Sequence, residues 1–137
     1  MALGNSGLAS ALDSIRPHLQ DENPDIRRSA VAALREIPGT EVDELLATAA
    51  VKDPDAMVRY EAVRSMDPRD PAKPFLSAMY LAVSDEDVLR VRQAAVGLAM
   101  SPRWTPEAVR PILEYVAANE PNNHLREQAT AKLGSMG

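Results

Sequence analysis

The chain contains no cysteine and very few aromatic residues. Its 137 residues include one tryptophan, one phenylalanine and three tyrosines. The absence of cysteine excludes disulfides, thiolate nucleophiles and thiolate metal sites, although it fits either a reducing or an oxidising compartment. With so few rings, the core must come from alanine, leucine and valine packed closely between helices. The length predicts a single domain over residues 1–137.

The chain also lacks an excess of positive charge and any long apolar run. It carries 15 basic and 20 acidic residues, for a net charge of −5, which opposes binding to nucleic acid or to an anionic membrane surface unless a local basic patch overrides it. No run of apolar residues is long enough to span a bilayer, and residues 1–12 do not resemble a secretory signal. We therefore expect neither membrane insertion nor nucleic-acid binding. The compartment stays open, and the cytoplasm is the default expectation for the chain as given.

Signals for catalysis and for a resident cofactor are missing. His18 and His124 lie near opposite ends of the chain, and neither has a second histidine or a carboxylate at ligand spacing. There is no Gly-x-Ser-x-Gly, P-loop or dinucleotide-binding glycine pattern. The acidic groups at 21–22, 53–55 and 85–87 lack the spaced loop of a calcium site, and helix capping explains them. The sequence predicts a protein that is not an enzyme and that holds no cofactor and no metal.

A repeat accounts for the whole chain. Ile-Arg-Arg-Ser-Ala-Val from residue 26 aligns with Val-Arg-Tyr-Glu-Ala-Val from residue 58, Val-Arg-Gln-Ala-Ala-Val from residue 91 and, more weakly, Leu-Arg-Glu-Gln-Ala-Thr from residue 125. The four arginines are 32, 33 and 34 residues apart, and an alanine stands three residues after each. A period of this size is typical of helix-pair repeats. The predicted repeats cover approximately 5–37, 40–66, 70–100 and 105–136.

The apolar positions within each repeat have the period of a helix. They stand one residue before the arginine and three, four and seven residues after it, which is one stripe of an α-helix. A first helix with its own stripe precedes each of these, near 5–19, 40–50, 70–83 and 105–118. Asn23 and Asp53 each precede a proline and are predicted to cap the second helices. No alternating strand pattern occurs, so we predict an all-α fold of eight helices.

The residue pattern of the repeat resembles one family of helix-pair repeats. Asp-Pro-Asp-Ala-Met-Val-Arg-Tyr-Glu-Ala-Val at 53–63 and its copies are similar to the short bacterial HEAT-like repeat, also known from phycobilisome lyases. The signature residues of ankyrin and tetratricopeptide repeats are absent. The resemblance implies an α-solenoid, a right-handed superhelix of four helix pairs. It also implies a proline kink in the first helices, at Pro17, Pro74 and Pro111.

The resemblance further implies a ladder that ties successive repeats together. Its members would be the turn aspartates and the arginines of the second helices: Asp21, Asp53, Asp85, Arg27, Arg59, Arg92 and Arg126. Asn119 stands in the last turn and is expected to break the ladder there. A row of arginines at a fixed period could instead form an anion-binding track, because guanidinium groups suit phosphate and carboxylate. The structural ladder is the favoured interpretation, because the arginines stand between buried positions and have aspartates to neutralise them.

One surface of the second helices is the candidate binding site. If these helices line the concave side, as the resemblance implies, the residues one, two and five after each arginine face away from the core. That surface is basic at Arg28 and Arg64, with Arg35 and Arg90 nearby, and becomes neutral and acidic toward the C-terminus. The small residues among them leave shallow space that suits a peptide or a helix.

We therefore predict a non-catalytic protein-interaction scaffold that binds a partner peptide or helix through Arg28, Tyr60, Arg64 and Gln93. The alternative is structural self-assembly, or a role as a capping segment of a longer repeat protein, because neither end carries a convincing polar cap. We expect the chain to be a monomer or a weak homodimer through its solenoid ends, and the homodimer would favour the self-assembly alternative. The identity of the partner protein cannot be read from these residues.

Overall fold

The computed structural model describes residues 10–85 and 88–136, and this part of the chain is all-α without strands. Residues 10–15 are helical and continue into a 3-10 helix, Arg16–Gln20. Seven α-helices follow: α1 (Pro24–Leu34), α2 (Thr40–Lys52), α3 (Ala56–Met66), α4 (Lys73–Ala82), α5 (Leu89–Ala99), α6 (Pro106–Asn119) and α7 (Asn123–Ser135). The predicted start of the first repeat, near residue 5, lies outside the described residues.

The helices form the two layers of a solenoid. The first helices α2, α4 and α6 lie side by side in one layer, and the second helices α1, α3, α5 and α7 lie side by side in the other. Each first helix also packs on the second helix of its own repeat. The prediction of an all-α solenoid of helix pairs is therefore confirmed. We call the two faces the first-helix layer and the second-helix layer.

The core lies between these layers and is made from the predicted stripes. Val58, Ala62 and Val63 of α3 are fully buried, as are their counterparts in α5. The largest buried side chain belongs to Phe75, the single phenylalanine of the chain. Ile26 occupies the same stripe position in α1 as Val58 in α3, but 39% of its surface is exposed. No described helix of the second-helix layer precedes α1 to cover it. Small side chains at most other core positions let the layers approach closely.

Side-chain caps mark the start of three second helices, α1, α3 and α7, whereas α5 begins after Val88 without one. Asn23 accepts a hydrogen bond from the backbone N–H of Asp25 at 2.9 Å, so the predicted cap of α1 is confirmed. The predicted cap of α3 is wrong by two residues. Asp55, rather than Asp53, accepts from the first backbone N–H groups of that helix. Asp53 does not cap α3 because its carboxylate accepts a hydrogen bond from Arg27 of the preceding repeat.

Prolines of the first helices occupy three different positions. Pro111 lies inside α6, as the resemblance implied. Pro17 falls in the 3-10 helix, and Pro74 is the second residue of α4. The expected kink at Pro74 is therefore wrong, because a proline in the first turn removes no helical hydrogen bond and simply starts the helix.

Gly39 precedes α2 with a backbone conformation that other residues rarely adopt. Its φ is 117° and its ψ is 152°, a region that is essentially restricted to glycine. We expect Gly39→Ala to lower the free energy of unfolding by about 1 to 3 kcal/mol, measured by urea denaturation. Gly97→Ala is the matched control: Gly97 lies inside α5, and a Cβ there would meet nothing within 4 Å. A helical glycine replaced by alanine should gain about 0.5 to 1 kcal/mol, so equal changes in the two variants would contradict this account.

Candidate partner-binding groove

Arginines at the start of the second helices connect neighbouring repeats. Arg27 donates two hydrogen bonds to the Asp53 carboxylate, at 3.0 and 3.1 Å, and one to the backbone carbonyl of Asp21 at 2.8 Å. Arg59 repeats the arrangement, with 2.8 Å from its Nε to Asp85 and 2.8 Å from its Nη1 to the carbonyl of Asp53. Each arginine thus holds the turn of its own repeat through a carbonyl and the next turn through a carboxylate.

The last connection uses a residue that the sequence interpretation missed. Arg92 donates to both carboxylate oxygens of Glu120, at 2.9 and 3.3 Å, and Arg126 donates to the Glu120 carbonyl at 2.9 Å. The expectation that Asn119 breaks the ladder is wrong, because the neighbouring Glu120 takes the acidic position. Asn119 is the last residue of α6, and its side chain donates to the carbonyl of Tyr115 instead.

A signal for Glu120 was present in the sequence. It stands six residues before Arg126 and directly before a proline, and Asp53 stands in the same relation to Arg59. Glutamate is one methylene longer than aspartate, yet its carboxylate still accepts the backbone N–H two residues ahead, at 2.8 Å, as that of Asp53 does at 2.9 Å. At these two turns, the spacing and the following proline identify the acidic position whether it holds aspartate or glutamate.

The ladder neutralises Arg27, Arg59 and Arg92, three of the arginines that might have formed an anion track. The hydrogen bonds that Arg27 donates to the Asp53 carboxylate raise the pKa of Arg27 above its ordinary value, so this guanidinium stays charged and paired. At the first position of the ladder, the Asp21 carboxylate accepts the backbone N–H of Asn23 at 2.8 Å. Paired guanidinium groups of this kind have few N–H donors left for a ligand. The surface available for binding must be sought elsewhere on the second helices.

A second set of arginines, which the sequence interpretation did not single out, secures the opposite ends of these helices. Arg69 pairs with Asp43 at 2.8 Å and donates to the carbonyls of Leu34, Arg35 and Ile37 at 3.2, 3.1 and 2.6 Å. These carbonyls belong to the end of α1 and the loop after it, where no helical N–H reaches them. The arginine therefore acts as a cap supplied by a later repeat.

Arg103 occupies the equivalent place one repeat later. It donates to the carbonyls of Asp67 and Arg69 at 3.3 and 2.9 Å. Both arginines follow a proline, in Asp-Pro-Arg and Ser-Pro-Arg, and they are 34 residues apart. That repeated Pro-Arg pair is the sequence signal that could have revealed them.

An open groove of about 850 Å³ lies on the second-helix layer, between α3 and α5. It brings together three of the four predicted binding residues, Tyr60, Arg64 and Gln93, and adds Arg90. The remaining lining residues are Arg35, Val63, Asp67, Pro68, Ala94, Gly97 and Leu98. Alanine at position 94 and glycine at position 97 leave the backbone of α5 open to close approach. We call this surface the α3/α5 groove.

Arg28, the fourth predicted binding residue, does not line the α3/α5 groove. It pairs with Glu61 at 3.3 Å, and Arg35 pairs with the other oxygen of the same carboxylate at 3.0 Å. Glu61 was expected to face solvent but is only 6% exposed. Arg28 of α1 and Arg35 of the following loop cover the Glu61 carboxylate. Their positive charges offset the cost of burying it. The basic surface predicted at Arg28 is thus partly neutralised.

The ring of Tyr60 contacts two guanidinium groups at the groove. The Arg64 guanidinium carbon lies 5.7 Å from the centre of the Tyr60 ring, and that of Arg90 lies 5.5 Å from it. Both distances are within the range of a cation–π contact. The arginine of α3 and the arginine of α5 therefore converge on one aromatic side chain. We call these three residues the Arg-Tyr-Arg cluster.

The polar groups of this cluster and of Gln93 make no hydrogen bond or ion pair in the described part of the chain. No carboxylate there forms an ion pair with Arg64 or Arg90. Neither the Tyr60 hydroxyl nor the Gln93 amide makes a hydrogen bond within residues 10–85 and 88–136. These groups contrast with the ladder arginines, whose donors are engaged. The α3/α5 groove therefore presents several donors to solvent at one place.

The described residues contain no arrangement for metal chemistry and no membrane-spanning helix. Within residues 10–85 and 88–136, no group of three or more histidine, aspartate or glutamate side chains is placed to hold a metal ion. None of the helices in the same part of the chain is both long enough and apolar enough to cross a bilayer.

Comparison with known proteins supports the repeat assignment. The family model that describes HEAT repeats matches residues 1–67, which include the first two helix pairs. This match supports the assignment of the repeats to a HEAT-like family. Repeats of this kind are commonly protein-interaction scaffolds. No curated protein and no solved structure matches the chain. The finer resemblance to the short bacterial repeat of phycobilisome lyases stays a prediction.

Proposed function

We propose that the protein is a non-catalytic interaction scaffold whose partner protein lies in the α3/α5 groove as an extended peptide or a helix. The observation that carries this proposal is the convergence on one groove of Tyr60, Arg64, Arg90 and Gln93, whose side-chain donors have no hydrogen-bond or ion-pair partner among the described residues. Exposed donors of this kind are ordinarily hydrated and dispersed over the surface of a folded domain. Their concentration beside a floor of small residues favours recognition of another chain.

The shape of the groove favours a polypeptide over a small metabolite. Small-molecule sites are mostly apolar cavities that enclose the ligand, with a few placed polar groups. The α3/α5 groove instead runs open between two helices, has a single aromatic side chain and is rimmed by charged and amide groups. Solenoid repeats present extended surfaces of this kind to other proteins.

The proposal predicts position-specific contact with a partner in cells. A photo-crosslinking amino acid at Gln93, in the α3/α5 groove, should capture a defined protein. The same amino acid at Glu114, an exposed position of α6 in the first-helix layer, should not capture it. Capture at Gln93 should fall at least about tenfold when Arg64→Glu is added, because a rim charge of reversed sign repels what the original attracted.

Arg64 is the suitable position for charge reversal, and Arg28 is not. Arg28→Glu would place a carboxylate beside the buried Glu61, so loss of binding could not be separated from loss of stability. Arg64 is exposed and has no ion partner among the described residues. Equal capture at Gln93 and Glu114, or capture that Arg64→Glu leaves unchanged, would count against the α3/α5 groove as the binding surface.

A further inference from the structure

We infer that the segment bound in the α3/α5 groove is acidic, and that it places a carboxylate side chain against Arg64 and Arg90 at the Arg-Tyr-Arg cluster. This inference rests on the proposed function and names the chemistry of its partner. Three observations carry it: the local charge of the groove, the contact of the Tyr60 ring with the two guanidinium groups, and the lack of an ion pair between either of them and any carboxylate within residues 10–85 and 88–136.

The groove is locally positive on a protein that is negative overall. The chain has a net charge of −5, yet the groove lining contains Arg35, Arg64 and Arg90 against the single carboxylate of Asp67. Arg35 is already paired with Glu61, so the unneutralised charge belongs to Arg64 and Arg90. A cleft with one sign of charge raises the local concentration of ligands of the opposite sign. The charge complementarity therefore selects an acidic occupant.

The aromatic ring makes the two guanidinium groups a better carboxylate site than free surface arginines. A guanidinium that lies over a ring face keeps the N–H donors at its own edge, where a carboxylate can accept two parallel hydrogen bonds. Contact with Tyr60 at 5.7 and 5.5 Å also restricts the two long side chains before binding. Less side-chain entropy is then lost when the ligand arrives.

The same features argue for a protein carboxylate over a nucleic acid. Nucleic-acid binding surfaces neutralise a row of phosphates with many basic side chains. Here Arg64 and Arg90 form no ion pair with a described residue and Asp67 lies in the same groove, whereas Arg27, Arg59 and Arg92 of the ladder are paired with carboxylates. Two guanidinium groups suit one or two acidic side chains of a peptide, whose other residues can lie along Ala94 and Gly97.

The test uses the full chain and a defined probe. The probe is a blocked, dye-labelled peptide of alternating alanine and glutamate, compared by fluorescence anisotropy with the same peptide in which glutamine replaces glutamate. We expect the glutamate peptide to bind at least about tenfold more tightly, and its affinity to fall as salt is added. The double variant Arg64→Gln, Arg90→Gln should lose about tenfold or more of that affinity while its thermal unfolding is unchanged, because both residues are exposed.

A charge-matched control separates the cluster from the charge of the whole chain. Lys73→Gln, Arg110→Gln removes the same two positive charges from α4 and α6 in the first-helix layer. We expect this control to change the affinity by less than about twofold, because it lies away from the groove. An equal loss in both double variants would show non-specific charge attraction and would overturn the inference.

The remaining outcomes distinguish this inference from the proposed function. If both peptides bind equally and substitutions in the α3/α5 groove abolish binding of both, the scaffold proposal stands. The inference that the partner is acidic would then be overturned. Tighter, cluster-dependent binding of single-stranded DNA would overturn it in favour of a nucleic acid. A dimer mass that the Arg64→Gln, Arg90→Gln variant abolishes would overturn it in favour of a second copy of the chain. If neither peptide binds while Gln93 still captures a protein in cells, only the acidic inference fails.

Discussion

Arg92→Met should lower the free energy of unfolding by about 3 kcal/mol, as measured by urea denaturation followed through Trp104 fluorescence. The variant would leave the Glu120 carboxylate, whose side chain is 2% exposed, without its opposite charge. An uncompensated charge of this kind is far more costly than the loss of a surface ion pair. The expected loss of free energy lies at the low end of the range for buried ion pairs, because the Arg92 side chain is 16% exposed. The total free energy of unfolding of a domain is about 5 to 15 kcal/mol, so a loss of this size should be readily measurable.

Arg126→Met is the matched control for that experiment. Arg126 holds the same structural position one repeat later and, like Arg92, donates to a turn carbonyl. It forms no ion pair with a carboxylate among the described residues, so its removal should cost about 1 kcal/mol. The difference between the two variants measures what the carboxylate pair contributes. Equal losses would mean that the Arg92 pairing adds nothing beyond the hydrogen bond to the turn.

Arg69→Met should lower the free energy of unfolding by about 4 kcal/mol, measured in the same way. Arg69 pairs with Asp43 and donates to three carbonyls at the end of α1 and in the following loop, and its side chain is 9% exposed. Removing it leaves the carbonyls of Arg35 and Ile37 and the Asp43 carboxylate without this donor, whereas the Leu34 carbonyl keeps the backbone N–H of Ile37. Each unsatisfied group costs about 1 to 3 kcal/mol. Methionine retains much of the apolar volume, so the loss reports the polar contacts.

The equivalent arginine of the next repeat provides the comparison for Arg69. Arg103 donates to two carbonyls in an exposed setting and has no ion pair among the described residues. We expect Arg103→Met to cost about 1 kcal/mol. A larger loss for Arg103→Met than for Arg69→Met would show that burial of the carbonyls does not set the cost.

Periodicity was sufficient to predict the fold, because packing in a helical repeat depends on one stripe per helix. Val58, Ala62 and Val63 could be assigned to the core from their spacing alone, and all are fully buried. Capping residues were less certain. Asp53 and Asp55 are both good acceptors at the start of α3, and only the position of Arg27 in the preceding repeat decides which one caps the helix.

The sequence identified only some of the side chains that line the candidate groove, because a helical wheel gives the direction of a side chain but not the side chains of the neighbouring helix. Tyr60, Arg64 and Gln93 do line the α3/α5 groove. Glu61 has an outward angle as well, yet Arg28 and Arg35 cover it. The contact of Arg90 with Tyr60 could not be derived from spacing, since it joins two repeats through long side chains. Whether this surface binds a partner remains a prediction.

The two sets of arginines give the solenoid a polarity. Arg27, Arg59 and Arg92 reach forward to a carboxylate of the following repeat, whereas Arg69 and Arg103 reach back to carbonyls of an earlier one. The first two joints therefore each have two contributions that run in opposite directions along the chain. A helix pair grafted at such a joint would fit only in the native orientation, with an acidic residue at its turn and a Pro-Arg pair in the loop that follows. Duplication of a repeat that carries both contributions would preserve them at the new joint, so an array of this kind can lengthen without redesign of the interface.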